Sequence, residues 1–219
     1  MIVHRVAQGS PEWLACRAGV ITASNFKLAR ARLKTGPNKG DFTEAAKDYA
    51  FRVAVERISG QPLDEGFETW SMRRGHELEP EARRAHEAAN GVLVEEVGFV
   101  TTEDGRFGAS ADGFIDDDGG AEYKCFVSPE KLRGILLTGD VSDVIDQCDG
   151  GMWITGRAWW DFCLYCPALE PVGRALSVHR ILRDENRIEA LEADLVAFMR
   201  LVDQYEAALR PPELLKKAA

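Results

Sequence analysis

The chain has 219 residues, 45% hydrophobic and 29% charged, which supports one folded domain and excludes a disordered polymer. At this length roughly 70% of the unfolded surface can be buried, so no disulfide or metal staple is needed. The net charge of −9 would disfavour a polyanionic partner if it were evenly spread, but residues 1–60 hold 10 basic and 5 acidic side chains, and residues 61–219 hold 17 and 31.

In chain order, residues 13–16 predict a short helix ending near Gly19. Thr22, Ser24 and Asn25 are N-cap candidates for a second helix to about residue 33, before a Gly/Pro loop at 34–40. Asp41-x-x-Glu44 reads as a capping box opening a helix to about residue 58. Another helical region runs over about 67–89 and closes at Asn90-Gly91; Pro80 inside it implies a kink or two successive helices. Residues 93–101, 107–115 and 121–127 read as three strands, and 116–120 as a hairpin turn whose glycines supply positive φ. Ser128-Pro129-Glu130 starts a short helix, 141–153 reads as helix, and 159–166 and 175–181 as strands. Ile188, Leu191, Leu195, Phe198 and Val202 repeat at helical spacing. These elements predict an α/β fold of α+β character around a mixed, mainly antiparallel sheet. It forms a single domain over 1–219, with a flexible tail after about residue 210.

No apolar run approaches the roughly 18–20 residues of a membrane span, and no apolar leader opens the chain. Cys16, Cys125, Cys148, Cys163 and Cys166 are odd in number and predict reduced thiols in a cytoplasm. Cys163-x-x-Cys166 lies on an expected strand, where residues three apart point to opposite faces, so core cysteines are expected there. His76 and His86 are expected on a helix surface and His179 in a structural role. Trp153, Trp159 and Trp160 are expected in the core or at subunit contacts.

The chemistry is concentrated in Ser110-Ala111-Asp112-Gly113 and Glu122-Tyr123-Lys124. If the two segments are hairpin partners, Asp112 lies beside Glu122, and Lys124 shares a face with Glu122. Two carboxylates are hard oxygen ligands suited to Mg²⁺, and a lysine beside them can steer a water or stabilise charge on phosphorus. The Tyr123 carbonyl lies between them as a further donor. Taken alone, the pattern also fits a surface ion pair and a turn-forming aspartate. Asp116, Asp117 and Asp118 read as solvated turn charges.

Four blocks in order extend the pattern. They are residues 13–24 (W-x3-R-x-G-x-I-T-A-S), residues 75–83 (G-x3-E-x2-A-R), the hairpin, and Gln147 with Met152-Trp153 (Q-x4-M-W). Over about residues 8–205 the chain resembles the phage lambda exonuclease or YqaJ-type viral recombinase family, in the restriction-endonuclease-like PD-(D/E)XK superfamily. The resemblance implies a restriction-endonuclease-like core with flanking helices and a Mg²⁺-dependent (Mn²⁺ being an alternative), processive 5′-to-3′ exonuclease on linear double-stranded DNA. It implies release of 5′-mononucleotides and 3′ overhangs for recombination by single-strand annealing. Asp112, Glu122, Glu79 and the Tyr123 carbonyl would hold two metal ions, Lys124 would be the catalytic lysine, and Gln147 would position water or DNA. Arg17, Ser24 and Ser110 match the family's 5′-phosphate pocket. Ala111 stands where the family usually has proline, which removes no ligand.

The basic run Lys27, Arg30, Arg32, Lys34 and Lys39 is expected to contact DNA phosphates without reading sequence. The resemblance further implies a ring-shaped homotrimer, a phage or prophage origin, and a single-strand annealing protein as partner. The competing readings are a related nuclease with four cysteines around an iron–sulfur cluster, an endonuclease of the same superfamily, and a non-catalytic DNA-end or recombinase-binding module. The joint presence of Asp112, Glu122 and Lys124 argues against the last.

Overall fold

Short apolar runs spread along the chain build two mixed sheets among the described residues, and helices cover them. The computed structural model describes residues 1–63, 70–125 and 128–211. In the first sheet the order is β1 (Ile2–His4), β4 (Phe99–Thr101), β5 (Phe107–Ala109), β2 (Ile21–Thr22), with only β2 and β5 parallel. The second runs β3 (Val94–Glu95), β6 (Gly113–Ile115), β7 (Gly119–Cys125), β8 (Trp159–Tyr165), β9 (Leu176–Leu182), with only β7 and β8 parallel. The expected mixed α/β class is the one observed.

Two expected strands are each divided between the sheets. The 93–101 run breaks between β3 and β4 because the N-terminal segment crosses it: a Cβ on Gly98 would lie 2.2 Å from the Val6 carbonyl oxygen. The 107–115 run breaks at Ser110–Asp112, where the Gln8 side-chain amide donates to the Ala111 carbonyl at 3.0 Å in place of a ladder partner. Asp112 therefore sits in a crossing between sheets, not inside a strand.

The hairpin turn also differs from its sequence reading. Positive φ falls on Asp116 (48°), while Gly119 and Gly120 lie within β7. Their role is packing: Cβ atoms there would meet the Trp159 and Trp160 rings at 2.2 and 2.4 Å. Arg157 Nη1 holds the turn by donating to the Ile115, Asp116 and Gly119 carbonyls at 3.3, 3.0 and 2.6 Å.

The helices are α1 (Pro11–Arg17), α2 (Phe26–Ala29), α3 (Glu44–Ser59), α4 (Trp70–Asn90), α5 (Pro129–Thr138), α6 (Ile145–Thr155) and α7 (Glu185–Leu209). Ser10 caps α1 by accepting from the Trp13 amide, with Pro11 in the first turn. The second helix is shorter than its apolar pattern suggests. Residues 23–25 form a 3-10 turn without a side-chain cap, and α2 ends at Ala29. Thr43, not Asp41, caps α3. The α4 helix runs as one element through Pro80, and α6 starts at Ile145 rather than 141. Of the expected span 67–89, residues 67–69 lie outside the described residues, as do residues 126–127 of the third strand and the tail from 212.

The main core joins α2, α3, α6 and α7 to one face of the sheets, and the five predicted α7 positions are all buried in it. A second apolar cluster, with Ala82, Val94, Ile115, Ala121, Tyr123 and Cys163, lies between α4 and the second sheet. Trp160 belongs to the main core, Trp153 packs against Phe26 and Phe107, and Trp159 is half-buried. Cys163 is buried and Cys166 lies just past the strand; all five cysteines are free.

Candidate active site

Alternation along β7 divides its side chains between the two layers. Ala121 and Tyr123 enter the α4 cluster, while Glu122 and Lys124 face the other way. Glu122 is buried, and its Oε1 accepts from Lys124 Nζ at 2.5 Å. From the adjoining crossing, Asp112 Oδ2 accepts the Tyr123 backbone N–H at 2.6 Å. Glu79 on α4 lines the same cleft of about 690 Å³ as Asp112, with Arg83 3.9 Å from Glu79 and paired with Glu96.

This grouping is electrostatically uncomfortable. Burial, then the charges of Glu122 and Glu79, push the Asp112 carboxyl well above the ordinary range, against Lys124 and the Tyr123 amide. Burial also raises Glu79; Arg83 opposes that and Glu122 adds to it. Burial disfavours the Lys124 ammonium, but Glu122 and Asp112 outweigh it and hold the group protonated.

In kind, the donors fit a hard divalent cation: carboxylate oxygens in excess of nearby positive charge. Among the described residues, however, no three ligand-type side chains converge as a ready-made cation cage. Lys124 engages one oxygen of Glu122 and the Tyr123 amide one oxygen of Asp112, which leaves the second oxygen of each carboxylate for a cation.

Lys124 opens on a second cleft of about 820 Å³, shared with Gln147, Ser24, Ser128, Lys131 and Arg133. The Gln147 side chain is carried there by the first turn of α6.

A cationic group is held two residues before Asp112. Arg17 Nη1 donates to Ser110 Oγ at 2.7 Å and Trp13 Nε1 to the same oxygen at 3.1 Å, with the guanidinium 4.1 Å from the Trp13 ring centroid. Arg17 also borders a cavity of about 180 Å³ with Thr22, Asn25 and Arg52. Burial lowers its pKa to about 10, with nearby Arg52 adding to the effect and Tyr49 and Glu56 opposing it. A half-buried guanidinium is suited to a bound anion. Two residues on, Gly19 ties the end of this segment to α3: its N–H donates to Glu56 and its carbonyl accepts from Arg57. Ser24 is exposed and lies 3.3 Å from the Thr22 hydroxyl, on the cleft of Lys124 and Gln147 rather than in the Arg17 cavity.

The basic run is not one surface. Lys27 pairs with Asp143, Arg30 with Asp146 at 2.6 Å and Asp194 at 2.9 Å, and Arg32 lies over Phe42 at 3.7 Å. Lys34 and Lys39 are exposed in the loop.

Sequence reasoning missed the bracing residues. Trp13 opens the first block, which is its only signal, and Gln8 has none. His86, expected on a helix surface, is wholly buried against Tyr123 and Asp161.

A strand hairpin and its neighbouring crossing that present Asp112, Glu122 and Lys124 on a mixed sheet define a restriction-endonuclease-like core. The chain belongs to the YqaJ-like viral recombinase domain family, whose model matches residues 12–158. Among solved structures it is similar to the alkaline exonuclease LHK-Exo of Laribacter hongkongensis, at 28% identity and TM-score 0.78 over 96% of this chain and 100% of that one. The same enzyme in complex with dAMP gives 29% and 0.79 over the same shares. A phage related exonuclease from Haemophilus somnus 129PT shares the fold, at 17% identity and TM-score 0.65 over 87% of this chain and 96% of that one. No curated protein sequence matches the chain.

Proposed function

We propose that the protein is a divalent-metal-dependent exonuclease that degrades the 5′-ended strand of linear duplex DNA, releasing 5′-mononucleotides and leaving 3′ overhangs. The observation that carries this reading is the linkage of two sites through one short segment. Ser110 holds Arg17, and Asp112, two residues on, belongs to the carboxylate group. Two extended residues span about 7 Å, so a gripped terminal phosphate would lie a short, fixed distance from the reacting bond. The dAMP complex of the similar exonuclease from Laribacter hongkongensis supports a mononucleotide product.

Asp112, Glu122 and Glu79, with the Tyr123 carbonyl, would hold Mg²⁺ or Mn²⁺, two ions when both positions fill. Bound metal supplies an activated water and stabilises the departing oxygen. Lys124 would place its ammonium against charge developing on phosphorus. Gln147 and Ser24, on the same cleft, would orient the strand or the water. Arg17, braced by Trp13 and Ser110, would hold each new 5′-phosphate. Lys34 and Lys39 would add sequence-independent phosphate contacts. Processive digestion would come from a ring of three copies, with heterologous contacts closing around the duplex. The role would be phage-type recombination in a bacterial cytoplasm, with an annealing protein receiving the overhang.

The test is incubation of linear duplex DNA carrying 5′-phosphate or 5′-hydroxyl ends, with and without Mg²⁺, beside a closed circular plasmid. Mg²⁺-dependent nucleotide release from linear DNA, faster from 5′-phosphate ends, is expected. Cleavage of the circle would favour an endonuclease. No release at all would leave a binding module.

A further inference from the structure

The α4 side of β7 carries a buried polar network that hydrolysis itself does not use. His86 Nδ1 lies 3.0 Å from the Tyr123 hydroxyl, and Nε2 lies 3.2 Å from Asp161 Oδ2. Asp161, itself buried on β8, accepts from Arg180 Nε and Nη2 at 2.8 and 2.9 Å. Arg180, on β9, lies over the Trp159 ring at 3.7 Å. With Asp161 as the acceptor, the Nε2–H of His86 donates to it, and Nδ1 accepts from the Tyr123 hydroxyl. Both ring nitrogens and the phenol are then satisfied.

Two connections join this network to the carboxylates. The backbone N–H of Tyr123 is the group that holds Asp112. On α4, His86 follows Glu79 by seven residues, two turns, so both lie on the side turned to the sheet, with buried Ala82 between them. The apolar contacts of Leu78 and Ala82 are non-directional and resist sliding weakly. Directional bonds from one side chain to two strands resist both sliding and rotation.

We propose that His86 is a positioning residue for the cleavage site: its bonds to Tyr123 and Asp161 lock α4 against β7 and β8 in the register that brings Glu79 to Asp112 and Glu122. The proposal rests on the metal-dependent nuclease reading given above.

Three variants test it. His86→Leu removes both bonds while keeping apolar bulk. His86→Asn presents an amide oxygen near the Nδ1 position, able to accept from Tyr123. Tyr123→Phe removes one hydroxyl and leaves the backbone carbonyl in place. For each, kcat and KM are measured on 5′-phosphorylated duplex across a Mg²⁺ series, and Mn²⁺ binding is followed by electron paramagnetic resonance without DNA. His86→Leu is expected to lower kcat about tenfold or more, since small misplacements of reacting groups are costly. It should also weaken Mn²⁺ binding and leave KM for DNA nearly unchanged. Tyr123→Phe should shift the same quantities less, and His86→Asn should recover most of the kcat. If His86→Leu and Tyr123→Phe lower the melting temperature while kcat and Mn²⁺ affinity stay parental, the network is structural only and the proposal fails. Should His86→Leu not fold, Tyr123→Phe carries the same comparison. A parent protein without Mg²⁺-dependent cleavage would overturn the nuclease reading instead, and the Mn²⁺ titration would still read the His86 effect.

Discussion

At Asp112, stability and chemistry pull in opposite directions. Its carboxylate is crowded by burial and by Glu122 and Glu79, so the ionised form is a liability unless a cation neutralises it. Asp112→Asn can keep the Tyr123 amide bond while removing the charge. Without metal it should therefore melt a few degrees higher than the parent, roughly 2–4 °C per kcal/mol for a chain of this size. Mg²⁺ should raise the melting temperature of the parent and much less that of the variant. Equal metal responses would remove Asp112 from the ligand set. Lys124→Ala should lower cleavage by about a hundredfold or more and largely spare DNA binding. Arg17→Ala should erase the preference for 5′-phosphate over 5′-hydroxyl ends; an unaltered ratio would refute the phosphate pocket. The residue pattern made Asp112, Glu122 and Lys124 legible because their chemistry depends on residue type and spacing. Trp13 and Gln8 were not legible as bracing groups, because each acts across about ninety residues or more of sequence, on Ser110 and Ala111.

The elements show where pattern reading stops. The span of α3 was legible nearly to its ends, and the apolar repeat of 188–202 marked α7 but not its last two turns, which carry no further buried apolar residue. Strands of three residues were not, because the breaks at Gly98 and Ala111 are made by the N-terminal segment crossing over them. His86 misled because a polar side chain usually marks the outer face of a helix; here Asp161 and Tyr123 satisfy it from the sheet. The glycines of β7 are close-packing positions, and they should differ in cost. Gly120→Ala would press on the fully buried Trp160 and should cost about 1–3 kcal/mol or more. Gly119→Ala presses on half-buried Trp159, which can yield, and should cost less; the reverse order in denaturant melts would contradict this packing. Asp161 sets a pH dependence. Burial favours its neutral form, but hydrogen bonds from Arg180 and His86 outweigh it and hold the carboxyl below the usual range. The stability this contributes is full above the unfolded value near pH 4 and is lost as pH falls through the lower folded value. Asp161→Asn should therefore weaken the protein at neutral pH and flatten the acid limb of its stability profile.

For the whole molecule, the charge total conceals a division of labour. The basic opening segment spends Lys27 and Arg30 on Asp143, Asp146 and Asp194, which ties it to later parts of the chain. Lys34 and Lys39 remain exposed, and phosphate contact by them is open to test. Changing both to alanine should lower the slope of log binding constant against log salt by about 2, roughly one per lost contact, whatever the DNA sequence. An unchanged slope would rule the loop out. A chain of 219 residues is too small to encircle a duplex alone, so the proposed enclosure would need copies of itself; a single-copy mass by light scattering would rule it out.

The crossing at Ser110–Asp112 also decides where this chain can change length. Its ends are anchored in different sheets, one carrying Ser110 toward Arg17 and the other carrying Asp112 toward Tyr123. One residue inserted there would push the Arg17–Ser110 pair and the Asp112 carboxylate out of step by about 3.3 Å, even if both sheets still formed. The same insertion in the exposed 34–40 loop changes neither anchor. A glycine placed after Ser110 should therefore abolish cleavage in a protein that still melts cooperatively, whereas one placed after Gly36 should be nearly silent. The enzyme's step along DNA would then be a length built into its own backbone, and the loops would be free to vary around that ruler.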